Sequence, residues 1–125
     1  MPVATKILLV EDNDAILRVL AMCLQLEGLT VEQAHDGLEA FQRLQDQTFD
    51  VVVSDIRMPR LNGRDLVGRI LDKFAGTPIV LTSADPTART METGNQAGVS
   101  CVLIKPFRVE ELVKSIRKAL SENNV

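Results

Sequence analysis

The chain has 125 residues, of which 46% are apolar and 25% charged, with a formal net charge of −3. That is enough apolar chain for one domain with a complete core. The acidic balance, and aromatics limited to four phenylalanines, argue against a nucleic-acid surface or a base-stacking platform. No stretch has the length of a membrane span, and the N-terminus lacks the basic-then-apolar pattern of a secretory signal. The expected organisation is therefore a single domain over 1–125 in a cytoplasmic setting.

In chain order, an apolar run at 6–10 reads as a strand that stops at Glu11-Asp12. A helix over 14–27 follows, apolar nearly all round; only Asp14, Arg18, Gln25 and Glu27 are polar. A surface helix needs one apolar stripe, so this one has either a covered outer face or an exposed patch. Beyond Gly28, a strand is expected at 30–34 and a helix at 37–46. The third strand, 50–54, carries Val51-Val52-Val53-Ser54 and stops at Asp55. A helix at 64–73 leads through Gly76 and Pro78 to a strand at 78–82 that stops at Ser83. The next helix, 87–97, can be capped by Asp85 and opened by Pro86, but Thr87, Thr90, Thr93 and Gly94 make it weak. A last strand at 100–104 stops at Lys105-Pro106, and a helix at 108–121 completes the pattern. Continuous β-branched runs suit strands buried on both faces of a parallel sheet. Alternation of strand and helix five times over predicts an α/β doubly wound sandwich, (βα)5, with a five-stranded parallel sheet of the flavodoxin-like kind.

In open parallel sheets the chemistry gathers in the crevice beyond the strands' carboxyl ends. Glu11, Asp12, Asp55, Ser83 and Lys105 should converge there. Read alone, Glu11-Asp12 would be a capping acid beside a solvated one. Adjacent carboxylates repel unless a cation joins them, and with Asp55 as a third, hard oxygen ligands suit Mg²⁺. With its charge shielded, Asp55 can act as a nucleophile and form an acyl phosphate, while Lys105 and Ser83 meet the phosphoryl oxygens. Cys23 and Cys101 lie far apart with no second cysteine or histidine near either, and are expected to be buried thiols. His35, the only histidine, is expected in the loop after the second strand.

Glu11-Asp12, Asp55 followed by Met58-Pro59 and Gly63, Ser83-Ala84 and Lys105-Pro106-Phe107 together resemble the signature of response-regulator receiver domains. The resemblance covers essentially the whole chain. It implies that Asp55 accepts a phosphoryl group from a phosphohistidine on a histidine kinase or a histidine phosphotransfer protein. It further implies that Glu11, Asp12, Asp55 and the main-chain carbonyl of Arg57 hold Mg²⁺, that Lys105 binds the phosphoryl oxygens, and that the Lys105-Pro106 bond is cis. Of the adjacent hydroxyls Thr82 and Ser83, the family's spacing selects Ser83, five residues after Pro78 and followed by the small Ala84. Arg57 and Asp85 fall where family members tune the lifetime of the phosphorylated form. Three residues before the lysine, Val102 replaces the Tyr or Phe that often swings inward on activation. The implied product is a phosphorylatable switch that signals by binding to an output protein or domain, without a dedicated substrate. A haloacid-dehalogenase-like phosphatase would need an aspartate where Arg57 stands. A flavodoxin-like cofactor module would need a phosphate-cradling loop where acidic Glu11-Asp12 stands.

Overall fold

A computed structural model describes residues 5–57, 63–73, 76–85, 87 and 98–123. Its elements are β1 (Lys6–Val10), α1 (Asp14–Leu26), β2 (Thr30–Ala34), α2 (Gly37–Asp46), β3 (Val51–Asp55), α3 (Gly63–Lys73), β4 (Ile79–Ser83), β5 (Val99–Ile104) and α4 (Val109–Asn123). The expected helix at 87–97 lies outside the described residues except for Thr87, as do Met58 and Pro59. α2 begins at Gly37 as expected, and α3 begins at Gly63, one residue earlier than expected.

The five strands form one parallel sheet in the order β2-β1-β3-β4-β5. Side chains alternate between its faces with the period of two that strands impose. Leu8, Val10, Val52, Leu81 and Val102 pack with Phe41 and Leu44 of α2 and Leu66 and Ile70 of α3. The residues between them, Ile7, Leu9, Val51, Val53, Val80 and Leu103, pack with Leu17 and Leu24 of α1 and Leu112 and Ile116 of α4. The central strands are therefore apolar on both sides, which is why their sequences read as unbroken runs. β2 lies at the sheet edge and keeps Glu32 and Gln33 half-buried.

Local signals fix the helix ends. The Asn13 side chain accepts from the Ile16 N–H at 3.1 Å and caps α1. Asp36 caps α2 through the Glu39 N–H at 2.8 Å, while the Glu39 carboxylate accepts from the His35 N–H at 2.9 Å. α1 ends in a Schellman turn: Gly28 N–H bonds Gln25 C=O at 2.9 Å and Leu29 N–H bonds Leu24 C=O at 3.2 Å. This turn needs Gly28 at φ 88°, a conformation in which a side chain would be strained.

The near-uniform apolarity of α1 resolves into a buried stripe, Leu17, Ala21 and Leu24, and an outer stripe in which Val19, Met22 and Leu26 are exposed. Both thiols are half-buried rather than buried; Cys101 sits on edge strand β5 and donates to Ser115 Oγ at 3.3 Å. Among the described residues no helix is long and apolar enough to cross a membrane.

The two stripes of α1 should differ sharply in stability terms. Leu17→Ala should cost about 2–5 kcal/mol in a urea unfolding titration, whereas Val19→Ser should change it by no more than about 0.5 kcal/mol.

Candidate functional site at the switch point of the sheet

From β1 the chain crosses to β2 on one side and then returns past β1 to β3 on the other. The sheet order therefore reverses between β1 and β3, and a crevice opens beyond their carboxyl ends. Glu11 and Asp12 follow β1 directly, and Asp55 is the last residue of β3. Their carboxylate oxygens lie within 4.8 Å of one another. Glu11 and Asp55 are almost fully buried, while Asp12 is exposed.

Lys105, just beyond β5, enters this cluster from the opposite side of the sheet's centre. Its Nζ donates to Asp55 Oδ2 at 2.6 Å and to Glu11 Oε1 at 2.9 Å. Main-chain donors fix the remaining oxygens: Asn13 N–H to Glu11 Oε2 at 3.2 Å and Arg57 N–H to Asp55 Oδ1 at 3.1 Å. Both carboxylates are thus held in orientation by one ammonium and one amide each. Asn13 holds this place through its main chain while its side chain caps α1. The sequence signal for it was the cap pattern of an Asn before Asp14, and its bond to Glu11 becomes visible only in the fold.

Ser83 closes the other wall. Its hydroxyl accepts from the Asp85 N–H at 3.0 Å, and its carbonyl accepts from the Lys105 N–H at 2.7 Å. With one oxygen lone pair engaged, the hydroxyl proton remains available to an acceptor in the crevice. Asp55, Arg57, Ser83, Ala84, Asp85 and Lys105 line a common cleft of about 340 Å³. Thr82 does not line it, although it stands level with Asp55 in the strand register. The structure thus brings Glu11, Asp12, Asp55, Ser83 and Lys105 to one place, with Arg57 and Asp85 at the rim. The Lys105-Pro106 peptide is cis. Val102 is buried among Leu81 and its neighbours on the α2–α3 face. His35, in the loop after β2, holds Asp14 at 2.5 Å through Nδ1 outside this cleft.

The electrostatics follow from this arrangement. Burial opposes ionisation of Glu11, but hydrogen bonds from Lys105, Asp12 and the Asn13 amide hold its carboxyl below the usual range. Burial likewise works against a charged Lys105, and the Asp55 and Glu11 carboxylates more than offset it, so its pKa is raised. Asp12 is pushed up, first by the neighbouring Glu11 carboxylate and then by desolvation. Asp85 is held down by the amide and hydroxyl of Thr87, with a smaller contribution from the charge of Arg57. Three carboxylates against one ammonium leave the cluster short of positive charge. An all-oxygen donor set with excess negative charge fits a hard divalent cation.

A doubly wound parallel sheet with an acidic cluster at its switch point and a lysine across it defines a class of signalling domains. The profile of the response regulator receiver domain matches residues 7–117. The chain belongs to that family, the receiver domains of two-component systems. It is 34% identical over 117 residues to the uncharacterized transcriptional regulatory protein YkoG of Bacillus subtilis, covering 94% of this chain and 51% of the relative. The chain thus spans about half the length of the curated relatives it matches. Among solved structures it resembles the chemotaxis response regulator CheY4 of Vibrio cholerae, with a TM-score of 0.86 and 32% identity over 94% of this chain and all of that one. It also resembles the response regulator TrrA of Thermotoga maritima in complex with Mg²⁺-BeF, with a TM-score of 0.85, 29% identity and coverage of 93% and 99%.

Because the folded state favours the protonated form of Asp12, its charge costs stability above the ordinary aspartate pKa. Asp12→Asn should therefore raise Tm at pH 7 in metal-free buffer. That gain should shrink as pH falls toward 4, about where an unperturbed aspartate titrates. Glu11 has the opposite sign: its contribution is present at neutral pH and is lost as pH falls through its lowered folded-state value.

Proposed function

We propose that this domain is a phosphoacceptor switch in which Asp55 takes a phosphoryl group from a phosphohistidine on a histidine kinase or histidine phosphotransfer protein. The observation that carries this reading is the Lys105 ammonium at 2.6 Å from Asp55 Oδ2 and 2.9 Å from Glu11 Oε1, opposite the exposed carboxylate of Asp12. In the transfer, the phosphorus–nitrogen bond of the donor imidazole breaks as a phosphorus–oxygen bond to Asp55 forms. Lys105 then turns its proton donors from the carboxylate to the incoming phosphoryl oxygens. Ser83 contributes its free hydroxyl proton to the same oxygens. Glu11, Asp12, Asp55 and the main-chain carbonyl of Arg57 would hold Mg²⁺, which supplies charge neutralisation to a transfer between anions. The domain assists its own phosphorylation and dephosphorylation and signals in the cytoplasm by changing what it binds. The exposed apolar residues of α1, Ile16 and Met22 among them, form part of a docking face for the histidine-bearing partner.

Asp55→Asn should abolish phosphate incorporation from a phosphohistidine donor, since an amide cannot form the acyl phosphate. Hydroxylamine-sensitive label persisting in that variant would sink the assignment.

Output is read from the β4 side. Ser83 moving toward a phosphoryl group pulls on the Asp85 amide it now accepts from, and so on the turn that follows. Val102, fixed in the core, only gates the shift by packing. Ser83→Ala should accept phosphate yet fail to propagate NMR shift changes into 87–97, while Val102→Ala should propagate them. The reverse pattern would reject the hydroxyl-driven route.

A further inference from the structure

A second cavity, of about 540 Å³, lies on the α1–α4 face of the sheet against the back of the acidic cluster. Its walls are Leu9 and Val53 from the sheet, Ile16 and Leu20 from α1, and Pro106 and Phe107 from the loop after β5. That size is within the range of small-molecule sites, as is a lining of apolar side chains with a few polar groups.

The polar groups decide the chemistry. Thr82 lines the cavity and is 5% exposed. Its hydroxyl makes no hydrogen bond among the described residues, yet Arg43 Nε is the single fully buried side-chain polar atom left unpaired among them. The Thr82 hydroxyl is therefore reached from outside, and the cavity it lines is the opening that reaches it. Glu11 and Lys105 stand at the same wall, with their facing atoms already engaged to each other. Beyond them lie Asp12 and Asp55, so an anion entering here meets more carboxylates than ammonium groups.

We infer that this cavity binds a small molecule that is not an anion, with a compact apolar body and one hydrogen-bonding group directed at Thr82. Its occupant packs on Pro106 and Phe107, next to the lysine that spans Glu11 and Asp55, and so touches the acidic site without entering its cleft.

The test is a titration of the full chain, isotopically labelled, with 1-naphthol, naphthalene and 1-naphthoate, followed by NMR. Saturable 1-naphthol binding is expected, with shifts at Ile16, Leu20, Thr82 and Phe107. Binding of 1-naphthoate should be roughly tenfold weaker or more, because its charge is desolvated beside carboxylates. Thr82→Val, a change of matched shape, should weaken 1-naphthol by about three- to tenfold, the worth of one neutral hydrogen bond, and leave naphthalene unchanged. Val19→Ser on the outer stripe of α1 should change neither. Shifts centred on Val19, Met22 and Leu26, equal binding of the anion, indifference to Thr82→Val, or no saturation would each overturn the inference.

Discussion

One ammonium group holds the carboxyl ends of three strands in register. Lys105, from beyond β5, reaches Glu11 after β1 and Asp55 at the end of β3, passing over β4 between them. Without it, two almost fully buried carboxylates would face each other and a third acid with no counter-charge. Charges buried in this way persist only when paired and hydrogen-bonded, and here every close partner is in place. The rest of the site is arranged around that constraint. Amides of Asn13 and Arg57 take the oxygens that Lys105 leaves, and Ser83 anchors the lysine's own main chain through its carbonyl.

The fold makes this possible by separating tasks between the two faces and the ends of the sheet. Both faces are committed to apolar packing, α2 and α3 on one side and α1 and α4 on the other. Polar chemistry is pushed to the strand ends, where chain reversal between β1 and β3 leaves room for it. Arg57 and Asp85 sit at the rim of the cleft, while Val102 is locked into the core beneath.

Much of this was legible in the sequence for a specific reason. Strands buried on both faces write themselves as unbroken apolar runs, so their ends, and the acids and lysine at those ends, stand out. The choice of Ser83 over Thr82 needed the resemblance to a family, because the strand register alone puts Thr82 level with Asp55. The exposed half of α1 was open to two readings, since apolarity all round a helix does not say which face meets the sheet. Asn13 was missed because its bond to Glu11 depends on how the chain turns after β1. The cavity beside Thr82 was missed for a related reason: its walls come from three strands, one helix and the loops after β1, β4 and β5, and no local pattern announces their approach. The half-burial of Cys101 reflects its edge-strand position, which follows from strand order rather than from composition.

The strand order also bears on how the molecule assembles itself. β3, β4 and β5 are neighbours both in the chain and in the sheet, whereas β1 pairs with β3 across the whole of β2 and its helices. Closing short loops costs less entropy than closing long ones, which favours the β3–β5 half over the β1–β3 pairing as the earlier one to form. Asp55 and Lys105 would then meet before Glu11, 94 residues from the lysine, joins them. Docking of β1 brings the second buried carboxylate. The same residues that serve the finished site would therefore set an electrostatic order of events in folding, with a neutral pair that becomes an acidic cluster only when the first strand closes into the middle of the sheet.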